Sequence, residues 1–127
     1  MRIADLMNEI ALRRNSFKIE LDGIDKFAKR GEVLYWCGIK EIEDLKVLQD
    51  SFVKRLKDYE FYVDDKPFKP HITLARRCIM DPDFDKKKFS ETIKPMIMKV
   101  TKIHLMRSEH KEGKLIYSSL GEVRLHG

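Results

Sequence analysis

A continuous apolar run followed by an amphipathic helix constrains the fold of this chain more than any other feature. The run Val33-Leu34-Tyr35-Trp36-Cys37-Gly38-Ile39 predicts a central strand buried on both faces. A single apolar stripe at helical spacing then predicts the clearest helix of the chain. The members of this stripe are Ile42, Leu45, Leu48, Phe52 and Leu56. Together the two segments predict a globular domain in which helices accompany a sheet.

The residues before this run predict one helix and one strand. Apolar residues at helical spacing over residues 3–10 indicate an amphipathic helix that ends near Arg13-Arg14-Asn15. Apolar and charged residues alternate over residues 17–22, which indicates a half-buried strand. Asp22-Gly23 is a turn signal, and Lys29 to Gly31 is another.

The residues after the long helix continue the mixed pattern. Residues 71–76 predict a strand, and Pro67 and Pro70 hold its entry extended because proline restricts both itself and the residue before it. Residues 85–94 predict a short helix with Phe89 on its inward side.

The C-terminal third predicts strands only. Residues 96–105 indicate one long strand with a bulge near Thr101, and residues 115–119 indicate a final strand after the Glu112-Gly113 hairpin turn. The predicted order is helix, strand, strand, helix, strand, short helix, strand, strand. This order predicts an α+β fold with a largely antiparallel sheet and helices packed on one side.

Composition narrows the class of protein. The chain has 127 residues, the length of one domain, and its 43% apolar content excludes a disordered chain. Its net charge of +5 fits an anionic partner such as nucleic acid or a phosphate ester, and fits a solvated surface equally well. Cys37 and Cys78 form no Cys-x-x-Cys pair, which favours a reducing compartment. No apolar segment has the length of a signal peptide or a membrane span, so the sequence predicts a soluble cytoplasmic protein.

The segment that carries chemistry is Pro67-Phe68-Lys69-Pro70-His71-Ile72-Thr73-Leu74-Ala75-Arg76. Alternation along a strand puts His71 and Thr73 on one face, with Ile72 and Leu74 directed into a core. An imidazole can move a proton near neutral pH, and a hydroxyl can donate to a phosphoryl oxygen. Arg76 follows at the end of the strand, where a guanidinium could turn toward a phosphate. The residues therefore predict an anion site with a proton carrier, although a lone histidine on a strand is more often a structural residue.

As a block, this segment resembles the second signature motif of the 2H phosphoesterases, in their LigT-like branch. Residues 17–27, 33–38 and 103–117 also resemble the family's strands in the same order. The resemblance implies an incomplete two-lobed 2H phosphoesterase fold and a metal-independent RNA 2′,3′-cyclic phosphodiesterase that works by general acid–base catalysis. It implies no cofactor, and it implies an RNA end or a nucleotide 2′,3′-cyclic phosphate as the partner.

The resemblance also implies roles for individual residues. His71 would transfer one proton, Thr73 would contact a phosphoryl oxygen, and Arg76 would neutralise charge. Phe68 and Tyr35 are candidates for stacking on a base, with ordinary packing as the alternative for both. Trp36 alternates with Tyr35, so a regular strand can turn only one of them toward the site.

A departure from the family pattern leaves three hypotheses open. The family has two His-x-Thr motifs, whereas this sequence has only His71-Ile72-Thr73. Residues 1–127 would then form a single LigT-like domain that is N-terminally incomplete, from a longer phosphodiesterase. Alternatively, the chain is a non-catalytic protein that binds RNA or nucleotides, or a homodimer in which each chain supplies one His71.

Overall fold

A computed structural model describes residues 2–29, 32–40, 42–64 and 66–127 of the chain. Within these ranges the elements are α1 (Ile3–Ala11), β1 (Phe17–Lys29), β2 (Glu32–Lys40), α2 (Glu43–Asp58), β3 (His71–Ala75), α3 (Lys86–Glu91), β4 (Met96–Val100), β5 (Lys102–Lys111) and β6 (Lys114–Arg124). Four strands form one sheet in the order β3-β2-β1-β4, and β5 and β6 form a second sheet. The β1–β2, β2–β3 and β5–β6 pairings are antiparallel. The predicted α+β fold with a largely antiparallel sheet is confirmed.

The chain divides into two compact units, each built from separate stretches of sequence. The first unit comprises residues 1–17, 44–66 and 99–127, and the second comprises residues 18–43 and 67–98. Neither unit is a continuous segment, so no linker composition in the sequence could have marked their boundaries.

The first unit has its core between α1 and β6. Met7 and Ala11 of α1 cluster with Val123 of β6 and with Leu125, and all four are buried. The alternation of apolar residues along the end of β6 meets the apolar stripe of α1, which excludes water from both. Partly buried residues from the other elements of the unit, including Phe52 of α2, pack around this cluster.

Backbone hydrogen bonds tie the C-terminus to the segment after α1. His126 donates its backbone N–H to the Arg14 carbonyl at 3.0 Å, and Ser16 donates to the His126 carbonyl at 2.6 Å. The His126 ring nitrogen Nε2 lies 2.7 Å from the Leu12 carbonyl oxygen. These bonds hold the end of β6 beside the end of α1, because the residues that make them flank the buried cluster.

The second unit contains β2, β3, α3 and most of β1. Tyr35 of β2 is 9% exposed, and its ring lies 5.9 Å from that of Phe84 in an edge contact. Gly23 is an extra residue in β1, since Asp22 pairs with Gly38 and Ile24 pairs with Cys37. The bulge frees the Ile24 N–H from the ladder, and Ser90 Oγ of α3 accepts it at 2.9 Å.

Several predicted elements are confirmed. The N-terminal helix, the strand through residues 33–39, the long helix, the strand from His71 and the last strand all form. The hairpin turn at Glu112 and Gly113 also forms, with φ of 52° and 76° at these residues. Both central positions of a two-residue hairpin turn of this kind need positive φ, and glycine adopts it without strain.

Two predictions about turns and strands were wrong. Asp22-Gly23 is the bulge inside a 13-residue strand, because Gly23 absorbs one extra residue at φ +72° without reversing the chain. Residues 96–105 form two strands in different sheets, with Thr101 between them. The Thr101 carbonyl accepts a hydrogen bond from Leu125 N–H at 2.9 Å, where the chain passes to the second sheet. The turn predicted at residues 29–31 falls mostly outside the described residues.

Three burial predictions were also wrong. Strand β2 is central in its sheet, as predicted, but of residues 33–39 only Tyr35 is buried and the others are half-buried, so the strand is not buried on both faces. Ile72 and Leu74 do not enter a core; both are exposed, Leu74 by 54%. The reason is that β3 is an edge strand, with a neighbouring strand on one side only. Phe89 is also exposed, in an α3 of only six residues.

Among the described residues, no helix is long and apolar enough to cross a membrane.

Replacing Leu6 should destabilise the protein strongly. Leu6 of α1 has 0% exposure, so Leu6→Ala leaves a cavity and should lower the free energy of unfolding by about 2–5 kcal/mol. Urea unfolding followed by circular dichroism measures this change. The matched control is Leu12→Ala, just after the same helix, where 68% exposure predicts a change within about 0.5 kcal/mol. Equal effects of the two substitutions would contradict the burial assigned to Leu6.

An ion pair between α3 and β1 should appear in the titration of Asp25. Lys86 Nζ donates to Asp25 Oδ1 at 2.7 Å, and the Lys26 backbone N–H donates to the same oxygen at 2.8 Å. These bonds, that of Lys86 first, hold the pKa of the Asp25 carboxyl below its ordinary value. Because the pKa is lowered in the folded state, the ion pair stabilises the fold at pH values above the unfolded pKa of about 3.9. This stabilisation is lost as the pH falls through the folded-state pKa.

In Lys86→Met the pKa of Asp25 should therefore rise toward its ordinary value. Carboxyl ¹³C NMR during a pH titration measures it directly. Lys87→Met, which removes the same charge from the next residue, should leave the Asp25 pKa lowered. An unchanged Asp25 titration in Lys86→Met would show that the ion pair is absent in solution.

Candidate functional site

Strand β3 brings His71 and Thr73 to one face of the four-stranded sheet. The two residues are two positions apart, and across β2 His71 pairs with Gly38 while Thr73 pairs with Trp36. Directly paired residues project to the same side, so the Trp36 side chain shares this face. Gly38 has no side chain to compete with the imidazole for space. We call this surface the His71 face.

Three rings meet on the His71 face. Phe27 of β1 and Trp36 are stacked, with ring centroids 5.0 Å apart and planes 18° apart. The imidazole of His71 meets both in edge contacts, at 5.6 Å and 82° from Phe27 and at 5.7 Å and 67° from Trp36. Such edge contacts are favourable and directional. The ring of His71 is therefore oriented by two neighbours, while the residue itself remains exposed to solvent.

The backbone fixes which nitrogen of His71 carries the proton. His71 Nδ1 lies 2.6 Å from the carbonyl oxygen of Lys69. A carbonyl oxygen can only accept, so Nδ1 is the donor, and Nε2 of the neutral ring holds the free lone pair. Lys69 precedes Pro70, whose ring restricts the backbone on both sides, so the carbonyl is held in position. The site thus presents an oriented imidazole whose Nε2 can take up or release a proton.

Positive charge also lies close to this face. Lys69 Nζ is 5.5 Å from the centroid of the Phe27 ring, within the range of a cation–π contact. Trp36 Nε1–H is buried and has no hydrogen-bond partner within the part of the chain that the structure describes. An unsatisfied buried donor of this kind costs about 1–3 kcal/mol.

Cys37, the neighbour of Trp36, is not a second reactive group. It pairs with Ile72, so it projects to the side of the sheet opposite the His71 face. Burial, and then the carboxylate of Asp22, raise the pKa of its thiol. The thiol therefore stays protonated at neutral pH and is a weak nucleophile.

The other predicted site residues are placed differently. Arg76 is exposed and lies one residue beyond β3. Phe68 is 41% exposed and is not one of the three rings that meet at His71. Tyr35 lies on the opposite face from Trp36 and is buried against Phe84, so the structure does not bring it to the His71 face.

Two residues of the His71 face escaped sequence reasoning. Phe27 is near the end of β1, and only the pairing of Phe27 with Leu34 places it beside Trp36. Lys69 contributes its backbone carbonyl, which carries no side-chain signal. The two prolines around residues 68 and 69 did indicate an unusual backbone, but not which group it would hold. Among the described residues, no three His, Cys, Asp or Glu side chains form a group that could hold a metal ion.

Comparison with protein families identifies the class to which this chain belongs. The model of the 2′-5′ RNA ligase superfamily matches residues 1–112. The chain belongs to this superfamily. The resemblance that began from residues 67–76 is therefore confirmed over most of the chain.

Two curated relatives carry the same name. The chain is 30% identical over 76 residues to an RNA 2′,3′-cyclic phosphodiesterase of Geobacillus stearothermophilus, a match that covers 59% of this chain and 24% of the relative. It is 32% identical over 83 residues to an RNA 2′,3′-cyclic phosphodiesterase of Archaeoglobus fulgidus, a match that covers 65% of this chain and 46% of the relative. The matches thus span about a quarter and about half of the lengths of these relatives.

Solved structures share the fold over nearly the whole chain. The protein TT0787 of Thermus thermophilus has a TM-score of 0.67 at 26% identity, covering 97% of this chain and 68% of that one. E. coli LigT complexed with 3′-AMP has a TM-score of 0.70 at 21% identity, covering 97% of this chain and 66% of that one. At that identity, the likeness to LigT is evidence for the fold alone.

Strand β1 approaches β2 so closely at Gly38 that a side chain at this position should not fit. A Cβ at Gly38 would lie 2.7 Å from the backbone oxygen of Asp22 in β1. Gly38→Ala should therefore push β1 and β2 apart and lower the free energy of unfolding by about 1–3 kcal/mol. The control is Gly121→Ala in β6, where a Cβ meets nothing within 4 Å. Thermal unfolding of both variants tests this, and equal stability of the two would contradict the close approach.

Proposed function

We propose that this chain hydrolyses RNA 2′,3′-cyclic phosphates and that His71 carries one of the two proton transfers. The observation that carries the proposal is the oriented imidazole: Nδ1 is bonded to the Lys69 carbonyl at 2.6 Å, and Nε2 is left available on an exposed face. The names of the two curated relatives support the class of substrate.

The chemistry requires a base and an acid. Water attacks the phosphorus of the cyclic ester and loses a proton, while the leaving ribose oxygen gains one. Nε2 of a neutral His71 can accept the proton from water, and Nε2 of a protonated His71 can donate one to the leaving oxygen. No metal ion takes part in this scheme.

Phosphoryl oxygens need donors and cations as charge grows on them. The Thr73 hydroxyl, which shares the face of His71, is the proposed donor. Arg76 and the Lys69 ammonium are the proposed cations, since a guanidinium can bind two phosphoryl oxygens at once. Lys69 adds to the set inferred from the sequence because its ammonium lies over the Phe27 ring.

The base of the substrate is proposed to stack on the aromatic surface of the His71 face. Trp36 and Phe27 are better placed for this role than Tyr35, which is buried on the other side of the sheet. Phe68 remains a candidate as an exposed ring three residues before His71. Stacking on one such ring is typically worth about 1–3 kcal/mol per base.

A second candidate function is the binding of RNA ends or nucleotides without turnover. The specific observation in its favour is that His71-Ile72-Thr73 is the single His-x-Thr motif of the sequence. One imidazole cannot serve as base and acid on opposite sides of the phosphorus at the same time.

For hydrolysis, a second copy of the chain that supplied its own His71 would provide the missing group, which is the proposed role of a homodimer.

Replacing His71 should abolish most of the hydrolysis. With a nucleoside 2′,3′-cyclic phosphate as substrate, His71→Ala should lower kcat by about 10²–10⁴-fold, the usual contribution of one general acid or base. His110→Ala, in the β5–β6 hairpin, is the matched control and should retain the kcat of the unaltered chain. Liquid chromatography of the nucleoside monophosphate product measures both rates.

Binding separates the two candidate functions. If adding a nucleoside monophosphate shifts the NMR signals of the His71 ring, but the chain releases no product from the cyclic phosphate, binding without turnover is the function. Hydrolysis that survives His71→Ala unchanged would rule out the role given to this residue.

A further inference from the structure

A basic cleft in the first unit is the feature that the proposed function leaves unused. It lies between the end of α1 and the second half of α2 and encloses about 300 Å³. Four cationic and two carboxylate side chains line it: Arg13, Arg14, Lys54, Arg55, Glu9 and Asp58. We call it the α1–α2 cleft.

The two carboxylates of the cleft are both engaged by Arg55. Its Nη2 lies 3.0 Å from both oxygens of Glu9, and its Nη1 lies 3.3 Å from Asp58 Oδ2. The guanidinium also lies 5.2 Å from the centroid of the Tyr59 ring. Arg55 is thus oriented by three contacts, and within the described part of the chain neither carboxylate pairs with a second cation.

The other cations of the cleft have no anionic partner within the ranges that the structure describes. Arg14 donates to the neutral hydroxyl of Ser51 at 2.9 Å. For Arg13 and Lys54, the described residues provide no ion pair. Four cations against two carboxylates leave an excess of two positive charges around one cavity. Arg55 Nε–H is buried and also lacks a hydrogen-bond partner among the described residues.

Helix dipoles do not account for this convergence. Cations near a helix C-terminus are common because they interact with its last carbonyls, and Arg13 and Arg55 each lie near such an end. That effect stabilises each helix separately. It does not explain why cations from both helices line a single cavity that carries an excess of two positive charges.

We propose that the α1–α2 cleft binds a phosphate group. Guanidinium groups match the geometry of phosphate oxygens, and the cavity has the volume of a small-ligand pocket. Two sources share this chemistry: a phosphodiester of an RNA strand, and a free phosphate or nucleotide. The proposal goes beyond the proposed function and does not depend on chemistry at His71.

The test compares two double variants that remove the same amount of charge. Arg13→Gln with Lys54→Gln removes the two cations of the cleft for which the described residues offer no partner; both are exposed, so the fold should survive. Lys46→Gln with Lys57→Gln removes two exposed cations of α2 that do not line the cleft. One probe is inorganic phosphate, whose binding is detected as shifts of the backbone NMR signals of Arg14 and Ser51. The other probe is a single-stranded oligoribonucleotide with a 3′-hydroxyl end, whose binding is measured by fluorescence anisotropy.

The unaltered chain should bind inorganic phosphate with shifts at Arg14 and Ser51. The cleft variant should bind it about tenfold more weakly, as the removal of two modest charge interactions implies, and the control variant should bind it normally. If an RNA phosphodiester is the source, the cleft variant should also weaken RNA binding. It should then reduce the salt slope of log K by about 0.7 for each phosphate that the cleft no longer neutralises.

Phosphate binding without a matching effect on RNA would support the site and identify a free phosphate or nucleotide as its ligand. Absence of phosphate-induced shifts in the unaltered chain would overturn the proposal. Equal weakening in the cleft and control variants would also overturn it, because the effect would then come from overall charge. Since no hydrolysis is measured, failure of the proposed activity at His71 would leave this result unaffected.

Discussion

Strand β2 hydrogen-bonds to a neighbour on each side, and the candidate site depends on the register of both pairings. On one side, β1 brings Phe27 level with Leu34, so that the Phe27 ring reaches Trp36. On the other side, β3 sets Thr73 opposite Trp36 and His71 opposite Gly38. A shift of either pairing by one residue would turn a whole set of side chains to the other face of the sheet. The glycine at position 38 allows β1 to approach closely just where the histidine needs open space.

Most helices and strands of this fold could be predicted from the sequence, because local periodicity determines them. The stripe from Leu45 to Leu56 and the alternation from residue 17 onward indicate their elements without reference to the rest of the chain. Predictions failed where a distant partner decides the outcome. Ser90 stabilises the bulge at Gly23, and Leu125 bonds to Thr101 where the chain leaves one sheet for the other. Neither partner is near in sequence to the residue that it stabilises.

The same distinction between local pattern and distant partners applies to the candidate site. The shared face of His71 and Thr73 follows from strand alternation alone, and the sequence indicated it. Which of Tyr35 and Trp36 joins them depends on the register between β2 and β3, which no local pattern contains. The Lys69 carbonyl was missed for a different reason. Backbone acceptors leave no trace in side-chain chemistry, even when flanking prolines make their position nearly rigid.

One irregularity of β3 decides to which side of the sheet Ala75 projects. Thr73 pairs with Trp36 and Ala75 pairs with Tyr35, so Leu74 is an extra residue in the strand. In an unbroken strand, odd and even positions would lie on opposite sides, and Ala75 would share the side of His71 and Thr73. The extra residue inverts this parity, because Ala75 pairs with Tyr35 and therefore projects to the side opposite His71. The insertion in the pleat thus turns Ala75 away from the side that holds the imidazole and the hydroxyl.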